Sequence, residues 1–318
     1  MNGLVLKSTG SWYRLRLDDG QEVDARLRGA MRLSGSRSTN PVAVGDVVMI
    51  EPESDNRWVI TEVRERRNHL VRRSVNLSKK TQVIAANIDQ AVLVNTVVSP
   101  KTLYGFIDRF LATTEAYDIP AIIVFNKLDI YSEEDMEELI YQEHAYAAAG
   151  YQTLRVSATD GTGLEALKDL LKDKVSLLSG HSGVGKSTLA NAIQTDLKLR
   201  TAEISDAHGQ GQHTTTFAEM HPLAMGGYII DTPGIRGFGL VDMEPSEISH
   251  YFPEIFELGK SCKFSNCLHV EEPGCAVRQA QEDGALAPTR YKSYRFMLTD
   301  DEGEDPYRHD DYAQSDAP

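Results

Sequence analysis

Residues 180–187, GHSGVGKS, fit the pattern GxxxxGK[ST], with an apolar run, KVSLLSG, before them and a helix-compatible segment, STLANAIQTDL, after them. This is the context a phosphate-binding loop needs. Gly180, Gly183 and Gly185 let backbone N–H groups curl around phosphates at a helix N-terminus, Lys186 can reach the terminal phosphates, and the Ser187 hydroxyl can ligate Mg²⁺. His181, Ser182, Val184 and Thr188 complete the set expected to touch a nucleotide.

Asn126-Lys127-Leu128-Asp129 closes another apolar run, AIIVFN. A carboxylate at Asp129 can accept both N1–H and N2–H of guanine, while Asn126 supplies an amide and Lys127 covers the ring. Adenine lacks those two donors, so Asp129 would select guanine by leaving polar groups unpaired against anything else. Ser157-Ala158 ends QTLRVSA and suits a backbone contact to guanine O6. Taken singly, NKLD is also a charged strand end and SA a helix cap. Asp231 ends YIID and opens DTPG, placing a carboxylate for Mg²⁺ and the Gly234 N–H for a γ-phosphate. Upstream, HTTT (213–216) lies in a Gly/Gln/His-rich stretch that reads as a switch loop, with Thr215 a further Mg²⁺ ligand.

Every cysteine of the chain lies in Cys262-x4-Cys267-x-His269-x5-Cys275. Three thiolates and one imidazole are the donor inventory of a closed tetrahedral Zn²⁺ site, and four protein ligands leave no open position, so one structural Zn²⁺ per chain is expected. Three cysteines also make a poor disulfide framework, which points to a reducing compartment.

These motifs need elements to hold them. The chain has 318 residues, enough for two or three domains, and its 41% hydrophobic and 25% charged residues exclude wholesale disorder. Its longest purely apolar stretches are strand-sized, as at Ala121 to Phe125, and MNGLVLKSTG has no long apolar segment, so a cytoplasmic chain without a membrane partner is expected. The net charge of -14 is unevenly spread: residues 1–80 carry 15 Lys/Arg against 10 Asp/Glu, and residues 299–318 carry 1 against 8. A basic front end can meet a polyanion while an acidic body stays dispersed.

Five short alternating runs in the first 63 residues predict a small antiparallel barrel of the OB type. In WYRLRL, alternation puts Tyr13, Leu15 and Leu17 on one face and Trp12, Arg14 and Arg16 on the other. The second face suits nucleic acid; equally, Trp12 could pack under a loop beside solvated arginines. A basic connector, RERRNHLVRRSVNLSKK, follows, and near Thr81 the pattern changes to alternating strands and helices, which predicts a mostly parallel sheet covered by helices. Strands are expected at 91–97, 121–126, 152–158, 174–180 and 228–234, with Ser132 an N-cap. Beyond residue 240 the chain turns helical around the Cys/His cluster. There Arg290, Tyr291, Lys292, Tyr294 and Arg295 interleave base and aromatic, as in an RNA contact or an ordinary surface helix.

The motif order is itself informative. GTPases ordinarily run phosphate loop, switch threonine, DTxG, NKxD and SA, whereas here NKLD and SA come first. A circular permutation that opens the chain after the DTPG strand keeps every motif at a strand end of one sheet. Barrel, permuted core and Cys/His cluster, with STNPVAVGD, GHSGVGKS, HTTT and DTPG, together resemble the ribosome small subunit-dependent GTPase A family (RsgA/YjeQ) over residues 1–298. The resemblance implies a multidomain α/β chain: an OB-type RNA- or ribosome-binding barrel at 1–68, a circularly permuted P-loop GTPase domain at 69–240, a helical zinc-binding domain at 241–298, and an acidic, disordered tail at 299–318. It implies GTP hydrolysis to GDP and phosphate by a monomer that binds the small ribosomal subunit and its rRNA late in assembly and is stimulated by it. Many GTPases carry a glutamine after DxxG that orients the attacking water; here that residue is Ile235, and in the family the histidine before the threonine triplet, here His213, takes the task. With Lys186 it forms the expected catalytic pair, unless it only orders the switch. Two rivals stand beside this reading. One is a nucleotide-gated RNA-binding scaffold with little hydrolysis, which Ile235 favours; the other is a P-loop ATPase or kinase, which NKLD argues against.

Overall fold

Alternation curls the first five strands into a barrel. In the computed structural model, which describes residues 1–29, 40–53, 57–73, 81–199, 218–232 and 243–299, they are β1 (Asn2–Ser8), β2 (Trp12–Leu17), β3 (Glu22–Leu27), β4 (Val47–Glu53) and β5 (Arg57–Val63). They pair in the order β1-β2-β3-β5-β4, and β4 returns to β1, so the sheet closes without a free edge. Val5, Tyr13, Leu15, Leu17, Ala25, Val48 and Ile60 fill its interior. The alternation read in WYRLRL is therefore correct.

Part of the basic connector is a strand. β6 (His69–Arg73) and β7 (Thr81–Ala86) form an antiparallel hairpin, so Thr81, where the pattern is expected to change, opens the hairpin's second strand. The NPVAVGD stretch binds β7: the Asn40 side chain bonds the Val83 backbone in both directions, the Ala86 N–H donates to the Val44 carbonyl at 2.9 Å, and buried Asp46 holds Arg66, ahead of β6, at 2.7 and 2.8 Å.

The second unit is the expected parallel sheet. β8 (Gln90–Asn95), β9 (Ala121–Phe125), β10 (Gln152–Arg155), β11 (Val175–Ser179) and β13 (Tyr228–Asp231) lie in the order β10-β9-β8-β11-β13. Helices α1 (Tyr104–Ala116), α2 (Glu133–Ala148) and α3 (Leu164–Leu171) make the crossovers, and α4 (Lys186–Ile193) follows β11. Ser132 does cap α2, in a capping box with Asp135. An unforeseen strand, β12 (Glu219–Pro222), lies antiparallel between β13 and barrel strand β1, with Lys7 bonded to Glu219 at 2.8 Å. Barrel and parallel sheet are thus continuous.

A 3₁₀ turn (Pro245–Tyr251) leads to α5 (Pro253–Gly259), α6 (Ala276–Glu282) and α7 (Pro288–Thr299), whose shared core of Ile248, Phe252, Ile255, Val277 and Tyr294 includes Ala112 of α1. No helix among the described residues is long and apolar enough to cross a membrane. The acidic tail beyond Thr299, the HTTT switch with His213 and Thr215, and Gly234 with Ile235 lie outside the described residues.

Candidate nucleotide site and metal cluster

In an open α/β sheet, ligands bind beyond the carboxyl ends of the strands. Here the ends of β8, β9, β10, β11 and β13 carry Asn95, Asn126, Ser157, Gly180 and Asp231, and buried Asn126 ties three of the resulting loops together. Its Nδ2 donates to the Val184 carbonyl at 2.8 Å, and its Oδ1 accepts from the Ala158 N–H at 3.3 Å. Beyond the base contact expected of it, the Asn126 amide thus joins the NKLD, phosphate and SA loops. Asp129 is exposed beside them and accepts from the Ser157 hydroxyl at 2.6 Å, which fixes the carboxylate's orientation. Lys127 has a left-handed backbone (φ 68°), and its ammonium reaches across to the Ser99 carbonyl at 2.6 Å.

The phosphate loop runs from Gly180 to Gly185, where α4 begins. Gly185 (φ +94°) must be glycine, because a Cβ there would stand 2.5 Å from the Asn126 amide nitrogen. His181 is held from outside the loop: its ring stacks on Phe106 of α1 with centroids 3.7 Å apart. Ser182, Gly183 and Val184 form the turn, and Ser187 and Thr188 lie in the first turn of α4. Lys186 Nζ donates to the carbonyls of Gly180 and His181 at 2.8 and 2.7 Å, a closed arrangement that an incoming phosphate would replace. Asp231 is the last residue of β13, paired in register with Leu178 of β11, while Ser187 lies in the first turn of α4, which follows the loop after β11. They fit Mg²⁺ with phosphate oxygens completing its shell.

Burial pulls the Lys186 ammonium down to about 8, against the opposing pull of Asp231, and burial pushes Asp231 up. A polyphosphate beside Lys186 raises it again, so binding must take up a proton wherever the free lysine has lost one. GDP affinity is therefore expected to fall as pH rises through about 8. Calorimetry in buffers of different ionisation enthalpy should find about half a proton taken up at that pH, the fraction deprotonated at a group's own pKa. Zero uptake would place the lysine's titration elsewhere.

Two positioning residues escaped the sequence reading. The Tyr131 hydroxyl donates to the Asn126 carbonyl at 2.8 Å and accepts from the Val97 N–H at 2.9 Å, pinning the NKLD loop to the loop after β8. Phe106 supports His181 from α1. Neither lies in a motif.

The metal ligands do converge. Candidate donor atoms of Cys262, Cys267, His269 and Cys275 all lie within 4.8 Å of one another, with His269 Nδ1 3.5 Å from the Cys262 and Cys275 sulfurs and those two sulfurs 3.9 Å apart. A tetrahedron of Zn–S bonds of about 2.3 Å has S···S edges near 3.8 Å, so this donor set fits Zn²⁺. Gly259 leaves the space the imidazole occupies, since a Cβ there would stand 3.2 Å from its Cε1 and Nε2. Glu272 organises the ligand loop: despite the cost of partial burial, backbone N–H groups of Leu268, Val270 and Glu271 hold its carboxyl at about 2.

The RNA candidates divide. Arg290 is 1% exposed: its guanidinium bonds Asp108 of α1 at 2.8 Å and Glu254 of α5 at 2.6 and 3.1 Å, over the Phe252 ring. It is an interior ion pair and cannot reach RNA. Arg14 is exposed but bonded to Asp24 at 2.6 Å, with Glu22 at 3.6 Å, so the outer face of β2 is a mixed-charge face instead of the basic strip expected. Trp12 is 45% exposed, Arg16 half-buried and Arg295 exposed.

The family models for the RsgA N-terminal domain and the RsgA GTPase match residues 2–60 and 63–241. The "Small ribosomal subunit biogenesis GTPase RsgA" of Christiangramia forsetii is 51% identical over 98% of this chain and 99% of its own length, and that of Bacteroides fragilis 53% identical over 97% and 99%. Among solved structures, YjeQ from Thermotoga maritima superposes with a TM-score of 0.76 at 36% identity, covering 93% of this chain and 96% of that one. YloQ, described as a circularly permuted GTPase, gives 0.71 at 32% identity, covering 94% and 93%. With its strand-end site, permuted motif order and full-length similarity, the chain belongs to the RsgA family of circularly permuted GTPases and is a GTP hydrolase.

Proposed function

We propose that the chain binds the small ribosomal subunit late in its assembly, and that docking accelerates its Mg²⁺-dependent hydrolysis of GTP to GDP and phosphate. The nucleotide part rests on one observation above all: Asn126 bonds both the phosphate loop and the SA loop, so base-reading and phosphate-holding groups share one framework. The partner is supported by the names of the full-length relatives.

In this reading Asp129 takes the guanine N1–H and N2–H, Lys127 lies over the ring, and the Ser157-Ala158 backbone meets O6. Lys186 leaves its two carbonyls for the β- and γ-phosphates, cradled by Gly180 to Gly185 with Thr188 behind them. Ser187, Thr215 and Asp231 hold Mg²⁺, which neutralises phosphate charge, while the Gly234 N–H contacts the γ-phosphate. His213 orients the attacking water, because Ile235 has no hydrogen-bonding side chain. One Zn²⁺ on Cys262, Cys267, His269 and Cys275 is structural. The protein acts as a cytoplasmic monomer in four parts, with boundaries near 68, 240 and 298. Trp12, Arg16 and Arg295 remain the RNA contacts; Arg14 joins them only by leaving Asp24. Because β1 is paired with β12, the strand that follows the HTTT segment, docking at the barrel bears directly on the switch.

His213→Ala separates chemistry from binding. GTP affinity should stay near wild type while subunit-stimulated turnover falls by about tenfold or more, the scale of water positioning or acid-base help. Equal stimulated turnover would leave the histidine an ordering role only. Negligible turnover by wild type on subunits it binds in a GTP-dependent way would favour the scaffold reading that Ile235 suggests.

A further inference from the structure

Helix α1 presents two stripes to two different partners. Phe106, Ile107, Phe110 and Leu111 pack in the core under the parallel sheet, whereas Asp108 and Ala112, one turn apart, face the C-terminal helices. At the sheet side, Phe106 carries the His181 ring of the phosphate loop at 3.7 Å. Two residues along, fully buried Asp108 holds Arg290 of α7, itself clamped by Glu254. The line continues to the metal ligands, because Tyr291 and Tyr294 of α7 donate hydroxyl hydrogen bonds to the carbonyls of His269 at 2.7 Å and Leu268 at 2.9 Å.

We propose that Phe106 is a positioning residue of the phosphate loop and that α1, through Asp108 and Arg290, couples nucleotide occupancy to the seating of the zinc-binding helices. The inference rests on the reading of 180–187 as a phosphate loop. Its physical content is a ring contact at Phe106 and charge-assisted hydrogen bonds at Asp108, two residues apart on one helix. Arg290 is an apt joint. A buried charge bonded on two sides contributes little to net stability, yet it tolerates few relative positions of α1, α5 and α7. Nucleotide that orders His181 and its loop therefore restrains Phe106 and α1, and by reciprocity whatever seats α7 favours the ordered loop.

The test is hydrogen exchange on the full-length, zinc-loaded chain with and without GDP, GDP affinity being measured first. In wild type, GDP should slow exchange in residues 288–299 by about fivefold or more, the lower end of ordinary coupling. Phe106→Leu should still bind GDP, within about tenfold of wild type, as expected for loss of one aromatic pair, but lose the GDP-dependent slowing at 288–299. Asp108→Asn should lose it as well; if that variant fails to retain zinc, Phe106→Leu carries the test alone. A merely structural role for Phe106 would raise exchange equally with and without GDP and preserve the difference. No slowing at 288–299 in wild type, or equal slowing in Phe106→Leu, overturns the coupling. Absence of GDP binding by wild type would instead remove the phosphate-loop reading, and the coupling with it.

Discussion

Asp129→Asn is expected to weaken GTP by about ten-thousandfold and to make xanthosine triphosphate the better ligand, the scale on which a site built to hydrogen-bond rejects a mismatched group. The carboxylate accepts two guanine donors. An amide keeps one acceptor and brings a donor, which opposes guanine N2–H but suits the carbonyl that xanthine carries at the same position. Asp129 is exposed, and the Ser157 hydroxyl can still donate to the amide oxygen, so folding should be barely affected. Competition of GTP, xanthosine triphosphate and ATP against a fluorescent nucleotide, for both proteins, reads the switch. A variant that keeps the wild-type order would show that Asp129 does not face the base.

Removing one metal ligand should have a large effect at the other end of the molecule. Structural Zn²⁺ contributes about 10–16 kcal/mol when four ligands fold around it, so losing one should cost roughly a quarter of that, about a hundredfold or more in metal affinity. Burial pushes the Cys267 and Cys275 thiols up, which favours their neutral forms until a metal displaces the protons. Cys267→Ala is therefore expected to purify with substoichiometric zinc and to unfold α5 to α7 at a lower temperature, while the nucleotide site binds GDP within about tenfold of wild type. Metal analysis and calorimetry check both halves. Wild type that carries no stoichiometric zinc, or a chelator that leaves the unfolding profile unchanged, contradicts the assignment.

The legible parts of the fold share a physical cause. Buried strands of a parallel sheet are continuous apolar runs, and the barrel's strand β2 faces water on one side, so β8, β9, β11 and WYRLRL announced themselves through hydrophobic pattern. The loops at their ends carried glycines and polar residues with few other uses. What stayed hidden depends on partners far along the chain. The β6–β7 hairpin is masked by the arginines and lysines around it, and β12, Glu-Met-His-Pro, has no strand pattern because its place is set by β13 and β1. Arg290 sits in a run of basic and aromatic residues that resembles a surface helix; only the tertiary approach of Asp108 and Glu254, 182 and 36 positions away, makes it an interior group. Arg14 looked free because strand register, which pairs it with Asp24, cannot be read from one strand. The bonds from Asn126 to Val184 and Ala158 stayed hidden for the same reason, being made 58 and 32 positions along the chain.

In the proposed function the small ribosomal subunit completes the GTPase. The most direct measurement is steady-state GTP turnover by a fixed amount of the full-length chain as isolated small subunits are added. Turnover should be slow without subunits, rise with their concentration to a plateau about tenfold or more higher, the least expected of a completed water-positioning group, and rise less steeply as salt weakens the phosphate contacts of docking. Turnover that is already at its plateau in the absence of subunits, or that never changes as they are added, would contradict it.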